Sequence, residues 1–216
     1  MTTDAALTLA AGAVLVCAVM VLWLSSVPAV IRVVALQGAA LGSAALILGV
    51  HQGDPGLIAT AVVVVLVKGA VIPLLLGRVG GEGVFDRETR PLVNVPAGLV
   101  ASAVLILITF LTTRGIGRFV GSRAGALVPV GVATLLLGFL VLVTRRRPVI
   151  QIVGLLMVHN GIALVAFLST AGVPFLIELG VSLDVLLGVI VLMVLTRRLR
   201  SEFGNIDLDE LQDLRD

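Results

Sequence analysis

Charge is what this sequence is short of. Only 13% of its 216 residues are Asp, Glu, Lys or Arg, about half the roughly 25% of an ordinary soluble domain. Fifteen basic and thirteen acidic side chains cannot cover a 22.3 kDa globule whose mean hydropathy is +1.19. Most of the apolar surface must therefore face a medium other than water, and a lipid bilayer is that medium. Cysteine is nearly missing too. Cys17 alone excludes an intrachain disulfide framework and any cysteine-ligated iron-sulfur cluster or zinc site built by this chain. Tyrosine is absent and tryptophan occurs once, which leaves a poor aromatic belt for the membrane interfaces. The formal net charge of +2 follows membrane topology and implies no nucleic-acid partner.

What is present is a series of apolar runs of bilayer-spanning length. They lie near 5–25, 27–50, 56–77, 94–113, 125–144, 148–171 and 173–196. Of the charged residues only Arg32, Lys68, Glu178 and Asp184 fall within these runs. The predicted fold is all-α, a polytopic membrane protein of about seven transmembrane helices. Where charge is absent, turn chemistry marks the breaks: Ser25-Ser26-Val27-Pro28, His51-Gln52-Gly53-Asp54-Pro55-Gly56 and Thr170-Ala171-Gly172-Val173-Pro174. The first run is long, follows an acid and leads into further spans, so it is expected to be retained as a helix and not cleaved as a signal peptide.

Basic residues collect on the cytoplasmic side of a membrane protein. One set of connectors carries Arg32, Arg78, Arg87, Arg90, Arg145, Arg146, Arg147, Arg197, Arg198 and Arg200, the other only Arg114, Arg118 and Arg123. This asymmetry predicts a cytoplasmic C-terminus and an external N-terminus. Arg32 and Arg145 to Arg147 read as topology anchors whose head groups snorkel to the interface. The short connectors leave no room for an extramembrane domain that would hold a substrate or redox cofactor. Function then lies in the membrane plane or in docking.

Lys68, His159 and Asp184 fall at equivalent mid-depths of spans three, six and seven. A central Lys or Asp costs on the order of 3 kcal/mol to insert, so such residues face a bundle interior, pair with one another or line a pathway. Lys68 is either a relay or gating lysine or half of a structural ion pair. Pro73, five residues on, cannot donate to the carbonyl of Gly69 and predicts a helix break beside the lysine. Asp184 is flanked by Gly180 and Gly188 on its own helical face, which admits close approach of another helix. His159 is a proton relay or a hydrogen-bonded core residue, and Asn160 beside it is rotated by about 100° around the helix. Glu178 is a proton exit or a hydrated interfacial acid. No metal-binding or cofactor-binding residues, and no catalytic residues, are expected in this chain.

Taken together these landmarks resemble component E of hydrogenase-4, a membrane subunit of formate hydrogenlyase-type complexes with group 4 nickel-iron hydrogenases. The resemblance rests on Lys68 with Pro73 and Leu74, the string Gly154-Leu-Leu-Met-Val-His159-Asn160-Gly161, Glu178-Leu-Gly180 with Asp184, and the tail Ile206-Asp207-Leu208-Asp209-Glu210-Leu211. His159 stands where component E is expected to have Glu. Spans five to seven are also similar to the K subunit of respiratory complex I and the C subunit of multisubunit cation/proton antiporters, through Arg145-Arg146-Arg147, Gly154-Leu155, Asp184 with Gly188, and Asn205-Ile206-Asp207.

The resemblance implies three regions: an N-terminal four-helix membrane region over 1–124, a three-helix K-like region over 125–200 and an acidic cytoplasmic tail over 201–216. It implies a non-catalytic subunit of the cell (inner) membrane between large antiporter-like subunits and a hydrogenase- or complex I-like anchoring subunit. The nickel-iron centre and iron-sulfur clusters would then belong to partner subunits. Lys68, His159, Asp184 and Glu178 would contribute to a lateral proton or ion path. A scaffold that conducts nothing and a freestanding small transporter are the competing readings. The tail reads either as an amphipathic docking helix, through Ile206, Leu208, Leu211 and Leu214, or as a solvated segment.

Overall fold

A computed structural model describes residues 2–80, 94–113, 124–145, 148–169 and 190. Their regular structure is entirely helical. Helix α1 is Thr2–Trp23 and α2 is Val27–Gln52. Helix α3 runs from Pro55–Val64 through a π-helical stretch, Val65–Val71, into Ile72–Gly80. Helix α4 is Val95–Thr113, α5 is Val128–Thr144 entered through a 3-10 turn at Ala124–Leu127, and α6 is Pro148–Ser169. Six of these helical segments are long and apolar enough to cross a membrane. They coincide with the first six predicted spans to within about three residues. The expected seventh span, with Glu178 and Asp184, and the tail over 201–216 lie outside the described residues.

Local chemistry explains where the helices begin and end. Gly53 closes α2 in the left-handed conformation at φ 65°, with its own N–H on Val50 O and that of Asp54 on Gly49 O. The Asp54 carboxylate then accepts from the N–H groups of Gly56 (2.8 Å) and Leu57 (3.3 Å), and Pro55 opens α3 with no N–H to leave unpaired. A two-residue turn thus returns the chain antiparallel through the bundle.

Helix α2 packs on α1, α3 and α6, while α5 and α6 form the most extensive pair. Both intimate contacts are built on glycine, as expected where helices associate by close backbone approach. In the α5–α6 hairpin Gly131 faces Gly161 and Gly138 faces Gly154. A Cβ at Gly161 would lie 2.5 Å from Leu135 N and 2.8 Å from Gly131 O. Gly38, Gly42 and Gly49 of α2 play the same part against Lys68, Val65 and Ile58 of α3. Helix α4 is peripheral: it turns Gly98, Ser102, Thr109 and Thr113 inward and leaves Val100, Val104, Leu107, Ile108 and Leu111 exposed.

The apolar core is divided in two along the bundle axis. One cluster joins the second half of α1 and the first half of α2 to Ile72, Leu76, Leu137, Val141 and the start of α6. The other joins Leu7 to Val14 and Ala40 to Leu48 with Leu57, Ala61, Val64 and the end of α6. At the first cluster's outer end Arg145 differs from a snorkelling anchor. It is buried, and its Nη2 donates to Leu22 O (2.6 Å), Leu24 O (3.3 Å) and Val21 O (3.5 Å) at the end of α1. The last carbonyls of a helix lack intrahelical donors and carry the negative end of its dipole, so a guanidinium placed there is both paired and electrostatically favoured. Arg32, by contrast, is exposed and returns its Nε to Pro28 O at 3.2 Å.

Candidate functional site: a polar layer at mid-depth

Between the two apolar clusters lies a polar layer. Gln37 interrupts α2 between Val34 and Ala40, Lys68 interrupts α3 between Val64 and Ile72, and Asn160 interrupts α6 between Met157 and Ala163. All three are buried, with exposures of 0%, 3% and 2%. Burying such groups is costly unless they are hydrogen-bonded, which makes their partners the central question.

Lys68 sits in the π-helical stretch of α3. Pro73 brings no N–H and its ring crowds the carbonyl four residues back, and widening the preceding turn relieves the crowding. Ile72 accordingly donates to Val67 O, five residues earlier. A π-turn inside an α-helix is uncommon and frequently marks a functional site. Gly38 holds the lysine against α2, since a Cβ there would lie 2.7 Å from the Lys68 carbonyl carbon and oxygen and 2.9 Å from its Cβ.

Gln37, next to Gly38, joins three helices. Its Nε2 donates to Val14 O of α1 at 3.1 Å, and its Oε1 accepts from Asn160 Nδ2 of α6 at 3.2 Å. The polarity is forced. A backbone carbonyl only accepts, so Gln37 must turn its NH2 toward Val14 and its oxygen toward Asn160, which must answer with its own NH2. Asn160 Oδ1 is left as a buried acceptor with no hydrogen bond among the described residues, and His159 Nδ1 is in the same condition. Leaving such a group unpaired costs about 1–3 kcal/mol, and each one in a native protein calls for an explanation. His159 is half-buried. It adjoins Asn160 on α6, and Lys68 meets Gly38, the neighbour of Gln37 on α2, through its backbone and Cβ.

Of the residues picked out in the sequence, Lys68 lies in this layer, His159 is next to Asn160 and Pro73 follows five residues after Lys68, while Glu178 and Asp184 lie outside the described residues. Gln37 was not among them, and Asn160 figured only as a neighbour of His159. The signal was there: Gln37 is a lone amide in Val33-Val-Ala-Leu-Gln37-Gly-Ala-Ala-Leu41, but a scan for charge passes over amides. Chemically the layer offers the Lys68 amine, an imidazole with two ring nitrogens, and two amides that orient without carrying charge. No group of three or more His, Cys, Asp or Glu suited to a metal occurs among the described residues.

No protein-family model matches the chain, and no solved structure does. Over 114 residues, 53% of each protein, it is 27% identical to hydrogenase-4 component E of Escherichia coli K12, and equally so to that of Shigella flexneri. Over 208 residues, 96% of the chain and 94% of the relative, it is 43% identical to the uncharacterized protein Rv0085 of Mycobacterium tuberculosis. An identity of this level across nearly the full length of both proteins means that the chain belongs to the same family as Rv0085.

Proposed function

We propose that this protein is a membrane-arm subunit of a hydrogenase or complex I-like assembly in the cell membrane, contributing to a lateral proton or ion path. The observation that carries the reading is the buried layer in which Lys68 lies with Gln37 and Asn160, next to His159, between two apolar clusters. The similarity to hydrogenase-4 component E supports it. Lys68 and His159 each hold or release a proton, Asp184 of the expected seventh span extends the path, and Glu178 stands toward its outer end. The N-terminus is external and the C-terminus cytoplasmic. Redox chemistry, with the nickel-iron centre and iron-sulfur clusters, belongs to partner subunits, and large antiporter-like subunits flank this one.

Proton translocation in membrane vesicles from strains carrying Lys68→Ala and Asp184→Asn tests the proposal. Translocation should fall relative to electron transfer while the complex still assembles. Unchanged pumping by an assembled complex would overturn it. The glycine-packed α5–α6 hairpin favours a second reading, a scaffold that conducts nothing. That reading expects the same substitutions to impair assembly or to do nothing, and never to uncouple an intact complex.

A further inference from the structure

Gln37 and Asn160 are not needed to carry a proton, and neither is able to, yet they occupy the centre of the layer. Their arrangement has a direction. The Val14 carbonyl fixes the orientation of Gln37, Gln37 fixes that of Asn160, and the result is an acceptor, Asn160 Oδ1, locked in place 98% buried with no donor among the described residues. A ligand at that oxygen must bring a hydrogen and no negative charge. The second unpaired atom, Nδ1 of the adjacent His159, points to the same kind of ligand, because buried waters gather where several protein groups lack partners.

We propose that Asn160 Oδ1 anchors an internal water within the α2–α6 layer, and that Gln37 is the positioning residue that sets the polarity of this water site. Val14 and Gln37 impose the acceptor, Asn160 presents it, and the water donates to it. The proposal deepens the proton-path reading and rests on it for its role, since Asn160 lies in the same buried layer as Lys68. Its existence is a separate matter with a separate readout.

Met157 supplies that readout. It lies three residues before Asn160, on the neighbouring position of the same helical face, and its exposure is 0%. Hydroxyl radicals generated from water by a brief X-ray pulse oxidise methionines beside ordered internal waters as well as those open to solvent. The full chain in lipid nanodiscs is irradiated and Met157 oxidation is measured by mass spectrometry. The native chain should label Met157 despite its burial. Asn160→Leu and Gln37→Leu should abolish the labelling. Gln37→Glu should retain it, because a neutral carboxylic acid donates to Val14 O through its hydroxyl and accepts from Asn160 through its carbonyl, reproducing the glutamine's polarity. Asn160→Leu leaves the Gln37–Val14 bond in place, so it keeps the test valid if Gln37→Leu does not fold. An unlabelled Met157 in the native chain, or labelling equal in Asn160→Leu, overturns the water site. Labelling that behaves as expected while vesicles bearing Asn160→Leu pump normally leaves the water site standing and removes it from the proton path.

Discussion

The guanidinium of Arg145 donates to the carbonyl of Leu22 across 2.6 Å, tying the end of α5 to the end of α1 over 123 residues of sequence. The same nitrogen reaches Leu24 O and Val21 O, and Gln151 of α6 donates to the Arg145 carbonyl at 3.1 Å. One residue therefore joins three helices at one end of the bundle.

Arg145→Ala removes the donor from carbonyls that no other helical N–H serves. Hydrogen bonds to charged groups contribute about 1.5–3 kcal/mol, and the expected loss of stability lies in that range. Arg145→Lys should recover only part of it, because an ammonium is a point donor without the guanidinium's planar fork. Arg32→Ala, at an exposed position, should stay within about 0.5 kcal/mol of the native protein. Thermal unfolding in a fixed detergent ranks the three variants, and equal effects of Arg145→Ala and Arg32→Ala would refute the capping role.

The α5–α6 contact makes a contrasting prediction about glycine. A methyl at Gly161 would strike the Leu135 backbone, which cannot swing aside as a side chain would, so the helices must separate. Overpacking of this kind costs about 1–3 kcal/mol, and Gly161→Ala should show it as reduced thermal stability and yield. Gly12 of α1 has nothing within 4 Å of the corresponding position. Gly12→Ala should be neutral or stabilising by about 0.5–1 kcal/mol, the helix-propensity difference between the two residues. A destabilised Gly12→Ala, or a tolerated Gly161→Ala, would contradict the packing described.

Six helices were legible because each is a nearly unbroken apolar run closed by turn chemistry such as Gly53-Asp54-Pro55, and those signals are local. The charge of Arg145 was legible as a vote for topology, but the carbonyls that satisfy it lie more than a hundred residues away and nothing local announces them. The glycines announced tight packing without naming partners: nothing local tells Gly131 that it meets Gly161. Pro73 announced a disturbance of the helix, but not that the backbone would accommodate it by a π-helical widening through Lys68. Lys68 and His159 were found from charge and depth, whereas the amides that organise them carry no charge and differ from lipid-facing residues only by partners contributed from other helices.

The Gln37–Asn160 bond should register as a coupling energy. In the membrane interior such bonds average about 0.6 kcal/mol by double-mutant cycles, with values near 1.7 kcal/mol at the upper end. The pair is fully buried and its polarity is fixed by Val14, which places it toward that upper end. Unfolding measurements on Gln37→Leu, Asn160→Leu and the double variant should show the double variant less destabilised than the sum of the singles. Strict additivity would mean that the two amides act independently.

Gly38→Ala is the substitution that bears on Lys68 without touching its side chain. The new methyl would lie 2.7 Å from the Lys68 carbonyl, so α3 must move outward from α2 at the depth of the π-helical stretch. The ammonium is retained, and so are the Gln37 and Asn160 side chains. If the position of Lys68 in the layer matters for conduction, as proposed, vesicles bearing Gly38→Ala should lose translocation in the same direction as Lys68→Ala, with electron transfer by the assembled complex preserved. Gly69 provides the control on the other side of the contact. A Cβ there meets Ala39 N at 3.6 Å and Ala39 Cβ at 3.7 Å, ordinary packing distances, so Gly69→Ala should leave both translocation and stability close to native. A Gly38→Ala variant that pumps normally at native stability would show that conduction does not depend on where Lys68 is held.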